Sequence, residues 1–282
     1  MKASVVTVCL NSERYIGECM ESVKSQGYPD LEHVIVDGQS SDRTLEIIDS
    51  HKHGYNVKLI SEKDSGPQEA VNKALRISTG DIIGWLGSDD LLLPRAVHNV
   101  VDKFSNRADA GVVYGDGLIQ PYGQKWATVY FTPPEESIIR HLRYNCFFDV
   151  GSFLRRNVLD SVGLFGDLKF AGDYEHYLRA SRRFKFAKVD ELLGCWRYRP
   201  ESLSFRSGDE RRAVKRQNPD ITARIASLEG LEYYSKRILS VMKRQAQLVG
   251  NPQVSKGRLF TSIMLSPFIE RGQSVCGYLY RG

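Results

Sequence analysis

The chain has 282 residues, 41% hydrophobic and 26% charged, with a formal net charge of +5. Those figures fit one large globular domain, or a domain with an appendage, and exclude a disordered or fibrous chain. No apolar run approaches the roughly 18 residues that span a bilayer, and the five cysteines (Cys9, Cys19, Cys146, Cys195, Cys276) form no CxxC pair, which argues against zinc and a disulfide framework and suits a reducing cytosol.

Residues 4–10 (SVVTVCL) read as a buried strand; the apolar run is too short and too soon broken for a secretion signal. Asn11-Ser12 opens a helix running to about Gln26, with Ile16, Met20 and Val23 on one face. A second strand, 31–36, ends in Asp37-Gly38. A helix over 43–50 and a shorter strand over 57–60 follow. Ser65-Gly66-Pro67 opens a helix over 68–78, which Gly80 closes. A fourth strand, 82–86, stops abruptly in Gly87-Ser88-Asp89-Asp90.

Strand and helix thus alternate with short connections, the pattern of an α/β protein whose mostly parallel sheet is flanked by helices. In such sheets ligands bind beyond the carboxyl ends of the strands. Polar residues gather there: Asn11 and Glu13, then Asp37, Asp64, and the pair Asp89-Asp90. Adjacent carboxylates repel each other and are costly to desolvate. They are tolerated most easily at a rim where a hard cation, which takes oxygen ligands, sits between them and a ligand. The bland alternative is a solvated turn in which Asp90 caps the helix that Pro94 begins. Neither GxGxxG nor GxxxxGK[ST] follows the first strand, so a cation must mediate any phosphate contact made by this acidic rim.

Beyond Asp90 come a helix over 94–104, a strand over 110–114, and a hairpin in 118–131 around Tyr122-Gly123. A short helix spans 135–142, and the apolar stretch 146–154, with Gly151 inside, suggests a strand against the site. A brief helix spans 157–162 and a longer one 174–184, introduced by Ala171-Gly172-Asp173. Residues 186–198 look extended, with an irregularity at Asp190-Glu191. The six histidines have no ligand spacing; Trp85 reads as core, and packing is the simpler role for Trp126, Tyr130 and Phe131 than stacking on a sugar. At Ser207-Gly208 the sequence turns helical and basic, dividing a domain over 1–206 from an extension over 207–282. From Arg197 onward there are 16 Lys/Arg against 7 Asp/Glu. A solvated helical face, an anionic membrane surface, phosphate-bearing ligands and nucleic acid all fit such an excess. The tail over 258–281 reads either as an interfacial amphipathic segment or as a helix packed on the domain.

Residues 4–48, then EKDSGPQEAVNKALRISTGDIIGWLGSDD, GSFLRRNVLDSVGLF and AGDYEHYLRAS, resemble the family 2 glycosyltransferases over residues 3 to 204. The resemblance implies an inverting enzyme with a Rossmann-like GT-A fold. It implies a nucleotide-sugar donor, UDP-sugar favoured over dTDP-sugar, and a divalent cation, Mn2+ or Mg2+. The acceptor expected is a glycan or a lipid-linked glycan, in cell-surface polysaccharide or glycoconjugate synthesis. Thr7, Asn11 and Glu13 would edge the nucleoside pocket, Asp37 would take the imino proton of a pyrimidine, and Asp64 would face the base or ribose. Asp89 resembles the ribose-binding carboxylate, Asp90 the metal ligand and Asp173 the general base. Asp173 also reads as a simple N-cap; Glu175, the alternative base, points roughly 200° away from it on a helix.

Two departures from the family pattern stand out. Gly172 replaces the acidic residue that often precedes the base, which bears on acceptor binding. Arg199 stands where the family often has a histidine that joins the metal shell. Arginine cannot ligate a metal but grips phosphate bidentately, so Arg197 and Arg199 are candidates to clamp the diphosphate. The expected setting is cytoplasmic, with the basic extension as a peripheral contact with the inner face of the membrane and no nucleic acid partner. A sugar-nucleotide nucleotidyltransferase and a non-catalytic nucleotide-sugar-binding protein are the competing functions. The first lacks the glycine-rich basic loop that a triphosphate requires.

Overall fold

The computed structural model describes residues 1–121, 123–124, 127–136, 138, 148–166 and 172–198. The 206/207 boundary, the basic extension, Trp126 and Arg199 lie outside the described residues. The first half alternates as expected: β1 (Ala3–Cys9), α1 (Ile16–Lys24), β2 (Leu31–Asp37), α2 (Thr44–His51), β3 (Asn56–Ser61), α3 (Pro67–Ile77) and β4 (Ile82–Gly87). Then follow β5 (Leu91–Leu92), α4 (Ala96–Asn106), β6 (Ala110–Pro121), β7 (Thr128–Tyr130), β8 (Phe153–Arg155), α5 (Arg156–Val162), α6 (Gly172–Ala180) and β9 (Lys185–Tyr198).

All nine strands join one mixed sheet in the order β3-β2-β1-β4-β8-β6-β9-β5, with β7 hydrogen-bonded to β6. β1 pairs in parallel with both β2 and β4, so Cys9, Asp37 and Gly87 finish at one rim. β8 runs antiparallel between β4 and β6, and β9 runs parallel to β6. Successive side chains of a strand face opposite ways, and β1 uses both faces. Val5 joins Cys19, Val23, Val97, Val100 and Phe104 under α1 and α4. Val6 joins Ala70, Ala74, Val158 and Tyr177 under α3, α5 and α6. Each such fully buried aliphatic or aromatic side chain contributes about 1.5–3 kcal/mol to the fold.

Three expectations shift. Leu91-Leu92 is a strand paired with Cys195 and Gly194, where a turn into the next helix was expected. Consequently α4 begins only after Arg95, which takes φ 63°. Of the stretch expected as strand over 146–154, residues 148–154 are described, and among them only Phe153-Leu154 is strand; Ser152 N–H donates to the Asp149 carbonyl in a turn before it. The hairpin exists, with Gly117 opposite Tyr130, and the irregularity at Asp190-Glu191 is a bulge between Lys188 and Leu192.

Candidate active site

The loops after β1 and β2 are laced together. Asn11, at φ 50°, accepts from the Ser41 N–H at 2.9 Å, and its own N–H donates to Ser40 Oγ at 2.8 Å. Glu13 accepts from the Arg43 N–H at 3.0 Å, just ahead of α2, where an acidic group is favoured by the helix dipole. Its own N–H donates to Asp42 at 3.1 Å. Both residues stand at the rim and hold the second loop in place.

Asp37 is wholly buried at the end of β2. It accepts from Ser40 N–H at 3.0 Å, Ser61 Oγ at 2.7 Å, the Ser40 hydroxyl, and the Cys9 thiol at 3.7 Å. Both of its oxygens are committed to these groups, so it braces the loop after β2 and, contrary to expectation, does not present a free oxygen to a base. Asp64 is better placed. Its Oδ1 accepts from Gly66 N–H at 2.9 Å, and its Oδ2 lies 2.9 Å from where a Cβ on Gly38 would be. Leu10, 58% exposed, stands over the same spot. Thr7 does not edge this pocket. It lies two residues short of the strand end, fully buried under α1, with Oγ1 2.9 Å from His33 Nε2. Cys9, which sequence reasoning passed over, is the β1 residue at the rim.

Gly87 ends β4, and both following carboxylates fold back over it. A Cβ there would sit 2.7 Å from Asp90 Oδ2 and 3.0 Å from Asp89 Oδ1. Only glycine admits that approach. Asp90 is buried, and its Oδ1 accepts the Arg197 backbone N–H at 2.9 Å. Burial, with the Asp89 charge beside it, pushes the Asp90 carboxyl well above the usual carboxylate range, against the opposing pull of Arg197. The Arg197 side chain is also buried, and it points beneath this turn: Nε donates to the Asp89 carbonyl, Nη1 pairs with Glu18, and Nη2 lies 3.5 Å from the Tyr15 carbonyl. That corrects its expected place on the diphosphate. Arg197 pins the Asp-Asp turn from behind.

Asp173 lies in the first turn of α6 and accepts the Tyr174 N–H at 2.7 Å. Glu175 is drawn into an ion pair with Arg179 at 2.6 Å, which removes it as the alternative base. Asp149 is the carboxylate that sequence reasoning missed. Burial, with Asp173 hydrogen-bonded to it, raises its carboxyl well above the ordinary range, and the Trp85 indole opposes that rise. Its charge also reaches Asp90 and the Tyr177 hydroxyl. Asp149 therefore lies beside Asp173 and within electrostatic reach of Asp90. Its signal was a carboxylate inside an otherwise apolar run. Tyr130 stacks on Phe148 with centroids 5.3 Å apart, and Phe131 packs on the cluster around Leu118, so both serve packing.

Among the described residues, no three His, Cys, Asp or Glu groups converge as a metal cage. The donor set at Gly87 is nonetheless hard carboxylate oxygen, and one or two carboxylates completed by substrate phosphates and water is how Mg2+ and similar cations are commonly held. The Asp89-Asp90 turn fits that arrangement. Among the described residues, no helix is long and apolar enough to cross a membrane.

Comparison with known proteins follows the same lines. Chondroitin synthase from Escherichia coli is 31% identical over 199 residues, covering 67% of this chain and 28% of that protein. An uncharacterized glycosyltransferase from Rickettsia typhi is 26% identical over 205 residues and is covered over 59% of its length. The chain therefore spans well under two thirds of these curated relatives. Among solved structures, S. aureus TarS 1-349 in complex with UDP-GlcNAc superposes with a TM-score of 0.62 at 20% identity, over 79% of this chain and 66% of that one. A mannosyltransferase from Pyrobaculum calidifontis in complex with GDP-Man and Mn2+ gives 0.57 at 16%, over 95% and 87%. At those identities the likeness establishes the GT-A fold alone. The model of glycosyl transferase family 2 matches residues 4–163, more than half of the chain. With the alternating fold and the acidic rim already in place, that match makes this chain a member of the family 2 glycosyltransferases.

Proposed function

We propose that the protein transfers a sugar, with inversion, from a UDP-sugar to a hydroxyl of a glycan or lipid-linked acceptor, in the synthesis of a cell-surface polysaccharide or glycoconjugate. The observation that carries this reading is the acidic rim itself: Asp89 and Asp90 both fold back over Gly87 at the end of β4, beside the ends of the parallel strands β1 and β2. The uridine donor is supported by the likeness to S. aureus TarS in complex with UDP-GlcNAc, and the polysaccharide setting by the likeness to a chondroitin synthase.

In this reading the nucleoside lies over Gly38, between Leu10 and Asp64, with Asn11 and Glu13 bracing the loop that carries it. Asp89 takes the ribose. Asp90 would hold a Mn2+ or Mg2+ ion, whose charge would offset the negative charge on the departing diphosphate. Asp173 accepts the proton of the acceptor hydroxyl, a poor nucleophile until that proton is taken. The anomeric C–O bond to the acceptor forms as the bond to the diphosphate breaks, and the nucleoside diphosphate leaves. The basic extension is assigned to a peripheral membrane contact near lipid-linked acceptors.

The test is UDP release from a panel of UDP-hexoses and UDP-N-acetylhexosamines, with and without manganese. Turnover that is lost in Asp90→Ala and Asp173→Asn, and lost with chelator, is expected. Pyrophosphate release from a nucleoside triphosphate would establish the nucleotidyltransferase instead. Tight donor binding with no turnover under any acceptor mixture would establish a binding protein.

A further inference from the structure

The segment between α5 and α6 is held carbonyl by carbonyl. From α6, Arg179 donates to the Val162 carbonyl and, at 2.7 Å, to the Leu164 carbonyl, while His176 Nε2 lies 3.0 Å from the Gly163 carbonyl. The next residue, Phe165, is held from a different element. Asn72 in the middle of α3 donates Nδ2–H to the Phe165 carbonyl at 3.0 Å and accepts the Phe165 N–H on Oδ1 at 2.9 Å. Asparagine is a poor residue for a helix interior. Here it supplies a donor and an acceptor at fixed spacing to one residue's main chain, as a neighbouring strand would.

Phe165 passes this restraint on through its ring. The ring stacks on His176 of α6 at 5.0 Å and 14°, and stands edge-on to Trp85 of β4 at 5.0 Å. Its Cδ1 lies 3.2 Å from where a Cβ on Gly172 would be. Gln68 lies four residues before Asn72, on the same face of α3. Its Cγ approaches that same Gly172 position to 2.9 Å. One face of α3 therefore runs along Phe165 and the first residue of α6. The next residue is Asp173. That N-terminal end of α3, where Gln68 stands, begins directly after the Asp64 loop.

We propose that Asn72 is a positioning residue for the reaction: it sets the distance between the donor side of the rim and the Asp173 carboxylate by docking Phe165, and with it the first turn of α6, onto α3. The proposal rests on the assignment of Asp173 as the base. Loss of the clamp leaves the nucleotide loop and the Asp-Asp turn untouched, since neither bonds to Asn72 or Phe165. It lets the first turn of α6 drift. A displacement of about 1 Å at a reacting group can cost about a hundredfold in rate.

The experiment is a double-mutant cycle on the full chain, with Asn72→Ala, Asp173→Asn and the pair. It measures kcat for UDP release from the fastest member of the UDP-sugar panel, Kd for UDP with manganese, and melting temperature. Asn72→Ala should lower kcat about 30- to 100-fold and leave the UDP–manganese Kd within about twofold. In the Asp173→Asn background it should lower the residual rate less than about twofold, because a residue that acts through the base has nothing left to position. An equal loss in both backgrounds overturns the proposal, since a merely structural contact would weaken both enzymes alike. Wild-type kcat in Asn72→Ala also overturns it. If Asp173→Asn alone keeps full activity, the assignment of the base has failed first, and the cycle shows that separately. Should Asn72→Ala not fold, Asn72→Asp keeps the volume and the acceptor for the Phe165 N–H, loses the donor, and carries the same cycle. If neither variant folds, the contact is one of stability and the proposal falls.

Discussion

Arg197 offers the sharpest contrast between a residue that grips substrate and one that builds the site. Consider Arg197→Ala. The side chain is 3% exposed, so truncation removes buried contacts. The bond to the Asp89 carbonyl is charge-assisted and contributes about 1.5–3 kcal/mol. The pair with Glu18 contributes under about 1 kcal/mol, because the Glu18 side chain is 65% exposed and rehydrates. The Tyr15 carbonyl at 3.5 Å adds little, and the lost packing of the aliphatic stem adds about 1 kcal/mol. The total is about 2.5–5 kcal/mol, a fall in melting temperature of about 5–20 °C for a domain of this size. The charge that opposes protonation of Asp90 also goes. More manganese should then be needed to support UDP binding, by about tenfold or more, while UDP affinity at saturating manganese stays near that of wild type. Arg197→Lys keeps a charge but not the fork, and should fall between the two in stability. Differential scanning fluorimetry and calorimetric UDP titrations at several manganese concentrations read all of this. A melting temperature within 1 °C of wild type, together with a loss of UDP affinity that manganese does not restore, would falsify the argument and return Arg197 to the diphosphate.

Three further outcomes are expected. Burial works to raise the Glu32 carboxyl, but hydrogen bonds from Ser4, Lys58 and Thr79 overcome it and hold it at about 2 against an ordinary 4.5; its stabilisation of about 3 kcal/mol is therefore complete above pH 4.5 and lost as pH falls toward 2. Glu32→Gln should lose most of that at pH 7 and flatten the acid limb of a melting-temperature profile, and an unchanged limb would count against it. Asp149 has the opposite sign: its raised carboxyl leaves the fold unburdened below the ordinary 3.8 and penalised as pH rises through the folded value. Without added metal, Asp149→Asn should melt above wild type at pH 7 and converge with it near pH 4; a pH-independent difference contradicts the placement. Gly172→Ala brings a Cβ to 2.9 Å from Gln68 Cγ and 3.2 Å from the Phe165 ring, an overpacking cost of about 1–3 kcal/mol with reduced turnover. Gln68→Ala in the same chain should recover much of both, and no recovery would show that the collision is not with Gln68.

The elements most legible in the sequence are the strands buried on both faces, β1, β2 and β4, whose continuous apolar runs between short polar breaks leave few alternatives, and the one-sided helices between them, whose apolar residues recur at helical spacing. Leu91-Leu92 was not legible, since two residues make a strand only by pairing with Cys195 and Gly194, a hundred positions away. The same limit governed the site. Asp89-Asp90 stood out because a carboxylate pair directly after a buried run is locally expensive. Thr7 was misplaced because strand periodicity shows alternation but not where the strand ends; the parallel pairing of Cys9 with Asp37 marks the end. Arg197 was misread because its exposure depends on which face of β9 turns toward α1, and no local pattern reports that. Gly172, noted for the acidic residue it lacks, has a packing reason visible only when Gln68 and Phe165 are brought beside it.

The acidic rim carries a cost that explains how its supports are arranged. Asp89, Asp90, Asp149 and Asp173 all face one region, and Asp90 and Asp149 hold their protons more tightly than free carboxylates do. Left alone, such a cluster would push its loops apart. Two of the carboxylates are instead tied to main chain, Asp90 to the Arg197 N–H and Asp173 to the Tyr174 N–H, and the Arg197 guanidinium holds the turn through the Asp89 carbonyl. A site stabilised by ions across its open face would be rigid but already satisfied. On the proposed reading, the repulsion that remains within the bare rim is what a cation and a diphosphate would relieve, and part of the affinity for the donor complex would come from that relief.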